Sequence, residues 1–151
     1  MAAAGGPLDA GRPELTSRER GIAGVTALFL LIGMPIAWIG GDVSAGQVVG
    51  MIAVTIVMLA ALAAIFLWLV PRERAVPGRP ARAGLILGIV AVVTVVVFWT
   101  GLPFPLGAGA IALGLIGREQ ATPSSGQGRA TAAIALGTLA IVVAFVALLF
   151  G

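Results

Sequence analysis

The sequence predicts an all-α fold: a polytopic transmembrane helical bundle of about five spans, with the N-terminus cytoplasmic and the C-terminus outside. Three observations carry this. Hydrophobic residues make up 60% of the 151-residue chain and charged residues only 10%, more apolar matter than a soluble domain of this length can hide. The apolar residues fall into runs without ionisable groups at about 21–39, 45–70, 83–100, 102–117 and 130–150, and about 20 apolar residues in helix match the hydrocarbon core of a bilayer. All nine basic residues are arginines outside those runs. Threading the chain back and forth puts every arginine on one side, where short arginine-bearing loops stay cytoplasmic.

Residues 1–15 are rich in Gly, Pro and Ala and read as a disordered cytoplasmic tail; residues 16–151 form a single transmembrane domain. Thr16 and Glu19 have the spacing of a capping box, which starts the first helix. The run 21–39 is too long for the core of a secretory signal, so it reads as an uncleaved span. Pro35 removes a backbone donor near its end and is a helix-break candidate. Ser44 and Gln47 repeat the capping-box spacing before the second span, which reaches about 39 Å at about 1.5 Å per residue and must tilt or project. Trp38 and Trp68 stand near span ends, where amphipathic rings prefer the interface.

The segment 71–82 carries Pro71, Pro77 and Pro80 with Arg72, Arg74, Arg79 and Arg82, and reads as the main cytoplasmic loop. The four arginines orient the chain or hold anionic headgroups, and orientation by charge already accounts for them. The third span is rich in valine, which lipid forces into helix because every backbone group must pair internally. The fourth run opens with Pro103 and Pro105, further break candidates, and at about 24 Å is a short span or a re-entrant hairpin. A re-entrant path would place Arg118 and Arg129 outside, so the charge pattern favours the span. A polar linker, 118–129, leads to the fifth span.

Small residues recur four apart at Gly46 and Gly50, Gly84 and Gly88, Ala110 and Gly114, and Ala133 and Gly137. Each pair lets another backbone approach closely and is a helix-packing candidate. The stretch 83–137 holds Gly84-Leu85-Ile86-Leu87-Gly88-Ile89, then Pro105, then Ile111-Ala112-Leu113-Gly114-Leu115-Ile116-Gly117-Arg118, then Gly128-Arg129. It resembles a small bacterial membrane domain of unknown function, the 4190 type. The resemblance implies a glycine-bearing helix pair, a polar basic loop and a further apolar segment opening with Gly and Arg; it implies no activity, catalytic residue or ligand. Ala130 and Ala133 stand here where that pattern has glycine.

Chemistry is narrowed by what is missing. The chain has no Cys, His, Lys or Tyr, which removes thiolate and imidazole metal sites and most nucleophile–base pairs. No acidic cluster has metal-binding spacing, so an enzyme, a metal and a cofactor are not expected. Ser124 and Ser125 read as linker residues. No Asp, Glu or Arg lies within a span, which argues against a proton-coupled path. Thr26, Thr55, Thr94, Thr131 and Thr138 are expected to bond their own helix backbone. The net charge of +3 is explained by arginines beside spans without nucleic acid. The expected partners are the bilayer and other membrane subunits or a second copy. The expected role is structural or interactive, an accessory subunit or small regulator in a bacterial plasma membrane; the alternative is a small oligomeric transporter or channel with a path at helix breaks.

Overall fold

The computed structural model describes residues 14–33, 35–36, 44–121 and 126–150, with only the backbone of 98 and 99. Residues 1–13 of the N-terminal tail, Trp38, Asp42, Ser124 and Ser125 lie outside the described residues; Glu14 and Leu15, expected in the tail, are described and bonded to Arg20 and Arg74. All elements among the described residues are helical. Helix α1 runs Ser17–Leu28 and continues as a π-helical segment, Phe29–Gly33. Helix α2 runs Ala45–Ala64, passes through a π-helical segment at Ile65–Leu69 and ends with the α-turns Val70–Arg74. Helix α3 spans Arg79–Thr94 and tightens into 3-10 geometry over Val95–Thr100. Helices α4 and α5 span Pro103–Gln120 and Gln127–Phe150. Three stretches, Ala45–Arg74, Arg79–Val97 and Gln127–Phe150, are long and apolar enough to cross a membrane.

Both capping boxes form. The Thr16 hydroxyl accepts from the Glu19 amide at 3.4 Å while the Glu19 carboxylate accepts from the Thr16 amide at 2.8 Å. Ser44 and Gln47 repeat this exchange at the same two distances. Each box satisfies two amides that a helix start leaves open.

The prolines correct the expected loop at 71–82. Pro80 lies in the first turn of α3, where its missing donor costs nothing and its fixed φ fits, and Pro71 lies within the last turns of α2, directly behind its π-helical segment. The turn between α2 and α3 therefore shrinks to Ala75–Gly78, closed by Gly78 at φ 80°, a conformation that suits glycine. Pro103 likewise opens α4 rather than breaking it, Pro105 follows in the same turn, and both are buried. The backbone irregularity lies elsewhere. Each π-helical segment ends two residues before a proline, Gly33 before Pro35 and Leu69 before Pro71, so the wider register absorbs the donor that proline lacks. The other break falls at Val97, with φ −110° and ψ 41°, inside a run of β-branched valines that crowd one another.

Helices α3, α4 and α5 form the tight core, and small residues set their spacing. A Cβ on Gly84 would meet Leu113, the Gly114 amide and the Ala110 carbonyl at 3.1–3.2 Å. One on Gly88 would meet Leu136 at 3.0 Å and the Ala133 carbonyl at 3.4 Å. One on Gly114 would lie 2.9 Å from the Ala130 carbonyl, and one on Gly137 2.7 Å from the Gly107 carbonyl. These contacts make α4 antiparallel to both α3 and α5. They extend from Gly117 against Ala81 at one end to Gly107 against Gly137 and Ile141 at the other. Twelve of the eighteen residues of α4 are buried, so the helix shielded by its neighbours needs the least apolar surface of its own. That accounts for its place outside the three long apolar stretches.

Helices α1 and α2 lean on this core. Leu30 of α1 and Met58, Leu62, Ile65 and Phe66 of α2 pack with Phe104, Ala108, Ala112 and Leu113 of α4. Phe29 stacks at 4.6 Å from Phe104 and 5.9 Å from Phe145, within the range of favourable aromatic pairs. Most of α2 faces outward, with Val49, Ile52, Ile56 and Val57 exposed along it.

Glycine substitutions should separate the two environments. Gly137→Ala is expected to destabilise by about 1–3 kcal/mol because the added carbon meets a backbone carbonyl. Gly50→Ala, with nothing within 4 Å of its Cβ, is expected to gain up to about 1 kcal/mol from helix propensity. Thermal unfolding of the two variants in the same detergent checks the opposite signs.

Candidate functional site

The charged groups among the described residues gather at one end of the bundle, where α1, α3 and α5 begin and α2 and α4 end. Glu19 is the buried charged residue among those described, at 3% exposure. A buried carboxylate is tolerated only when its oxygens are engaged, and both are: one accepts from the Thr16 amide and the other from the Arg74 guanidinium. Arg74 also donates to the Glu14 carbonyl at 3.4 Å, and its own carbonyl accepts from the Gln120 side chain at 3.1 Å. The start of α1, the end of α2 and the end of α4 are thus joined through one arginine. Two exposed pairs flank this seam, Arg18 with Glu119 at 3.4 Å and Arg20 with Glu14 at 3.3 Å. Exposed pairs of this kind contribute little stability.

The structure divides the four arginines of the segment 71–82. Arg74 is half-buried against Glu19 and does not face outward as a free headgroup contact. Arg72 lies over the Trp68 ring at 5.1 Å, one helical turn back, where cation and π face attract. Arg79 and Arg82 are exposed on the first turn of α3. Beside them a cleft of about 290 Å³ opens between the ends of α3, α4 and α5, with Gly78, Ala81, Gly117, Gln120, Gly126 and Arg129 in its wall. The buried Oε1 of Gln120 accepts no hydrogen bond among the described residues.

Of the small-residue pairs, Gly84 and Gly88, Ala110 and Gly114, and Ala133 and Gly137 meet one another inside the three-helix core. Gly46 and Gly50 do not join them; their open sides lie on the outward surface of α2 with Val49, Ile52 and Ile56 exposed along the same helix. Thr26, Thr55, Thr94 and Thr131 each donate to a carbonyl three or four residues back, at 2.8–2.9 Å. Among the described residues no three acidic side chains assemble into a metal-binding group.

Sequence reasoning missed the Glu19–Arg74 pair and the part played by Gln120. Glu19 was legible as a capping residue, but its second oxygen finds a partner 55 positions away, a pairing that no local spacing encodes. No family model matches the chain, and neither a curated protein nor a solved structure matches it.

Removing one partner of the buried pair leaves the other uncompensated, at a cost of about 3–5 kcal/mol. Arg74→Ala should therefore unfold at markedly lower temperature than the parent. Glu19→Gln combined with Arg74→Met should recover part of the loss. A double-mutant cycle on thermal melts measures the coupling; additive effects would show that the pair is not an energetic link between α1 and α2.

Proposed function

We propose that the chain is a multi-pass protein of a bacterial plasma membrane that crosses the bilayer five times with its N-terminus inside, and that it acts as an accessory subunit or small regulator of another membrane protein. The carrying observation is the outward face of α2: thirty residues of high hydropathy, mostly exposed, with Gly46 and Gly50 open to close approach. The other small-residue pairs are spent within the chain, so α2 is the helix left to receive a partner through van der Waals packing. Five crossings are supported by the full-length packing of α4 along α3 and α5. Orientation is supported by the arginines at the ends of successive helices, on the side that short basic loops occupy.

A tagged copy purified from gently solubilised native membranes is expected to carry a stoichiometric foreign subunit. A photo-crosslinking residue at Ile52 or Ile56 should trap that subunit, and the same residue at buried Leu113 should not. A clean homo-oligomer crosslinked to itself through α2 would reject the accessory reading and move the oligomeric transporter ahead. A periplasm-active reporter fused to the C-terminus should be active; silence would reject five crossings.

A further inference from the structure

We propose that the cleft between the ends of α3, α4 and α5 binds the phosphate of an anionic phospholipid headgroup. The eight described arginines fall into two groups. Arg18, Arg20 and Arg74 are committed to carboxylates, and Arg72 lies on Trp68. Arg79, Arg82, Arg118 and Arg129 are exposed and make no ion pair among the described residues. All four lie at the end of the bundle that holds one concavity. Arg129 lines it, and the other three directly follow the lining residues Gly78, Ala81 and Gly117, which keeps each backbone within about 3.8 Å of the wall.

Orientation by charge requires arginines somewhere in the loops. It does not require that one of them line a cleft and that three more, from two further segments, each follow a residue of its wall. Glycine and alanine make up most of the described wall, which leaves space for a bound group beside Arg129. The two nearest carboxylates in sequence are Glu119, already engaged by Arg18, and Glu73 at the end of α2. The guanidinium fork matches phosphate oxygens in pairs. The cleft also lies where α3 and α5 pass from arginine-bearing first turns into apolar helix, the level of a lipid phosphate beside a span. A lipid therefore supplies both the anion at the cleft and the acyl chains along the helices, which a free anion does not.

This inference rests on the membrane reading above, and the test keeps the two apart. The full chain is reconstituted into nanodiscs of phosphatidylcholine with increasing phosphatidylglycerol; both faces are accessible there, so an effect on orientation cannot mimic binding. The parent is expected to bind phosphatidylglycerol selectively, read by native mass spectrometry and by a rise in unfolding temperature. Arg129→Gln is expected to bind it about fivefold more weakly, near the 1 kcal/mol of one arginine at a charged surface, and the fourfold Gln variant to lose the preference. Equal unfolding temperatures of parent and Arg129→Gln in pure phosphatidylcholine show that the variant is folded. Retained preference in the fourfold Gln variant would overturn the proposal, as would equal stabilisation by inorganic phosphate without anionic lipid. Failure of the parent to enter nanodiscs would overturn the membrane reading itself, whereas entry without lipid preference would overturn the cleft alone.

Discussion

The close approach of backbones among α3, α4 and α5 is the constraint on which the rest of the chain depends. At Gly114 and Gly137 the neighbouring helix presents a carbonyl where a Cβ would stand, so the helices touch main chain to main chain. In the bilayer proposed for this chain no hydrophobic force would drive one helix onto another, and such contacts would supply the attraction by dispersion over a long, flat seam. Glycine gives this at a cost in helix propensity of about 1 kcal/mol each. In the proposed bilayer that cost is bearable, because lipid leaves the backbone no alternative to internal hydrogen bonds.

From that core the polarity of the molecule follows. Helix α4, enclosed by its neighbours, carries glycine, proline and alanine where the outer helices carry valine, leucine and isoleucine. Its last turn delivers Arg118, Glu119 and Gln120 to the end where α1, α3 and α5 begin. There the fixed ends of α4 and α2 meet Glu19, whose burial is made tolerable by Arg74 and by its own helix start. A pair of this type adds little net stability, since both ions lose water, but it joins the start of α1 to the end of α2. The arginines left out of it define the exposed charge of this end, and α2, held at that end and against α4, keeps its far surface open.

Local chemistry and tertiary chemistry divide cleanly at the prolines. Pro71, Pro80 and Pro103 read as breakers when each is taken with its neighbours alone. Pro80 and Pro103 instead occupy first helical turns, where proline is at home, and Pro71 is carried inside α2 behind a π-helical segment. What distinguishes the two cases is whether the preceding residues can shift register, as Ile65–Leu69 does, or turn through a left-handed glycine, as Gly78 does. Sequence spacing does not reveal which of these happens, because both depend on where the packed partner requires the next helix to start.

The helical class, the apolar stretches and the two helix starts were legible in the sequence, because hydropathy and hydrogen-bond capping are properties of neighbours along the chain. The four-residue spacing of Gly and Ala was legible too. Which pairs turn inward was not: Gly84, Gly114 and Gly137 are buried against facing backbone while Gly46 and Gly50 meet nothing, although all are spaced alike. The same holds for charge. Sequence order places every arginine outside the apolar runs, yet only packing decides that Arg74 is consumed by Glu19 and that Arg129, without an ion pair among the described residues, lines the cleft at the ends of α3, α4 and α5. An ion pair or a shared concavity depends on positions tens of residues apart, and these are brought together by helix packing rather than by the period of any one helix.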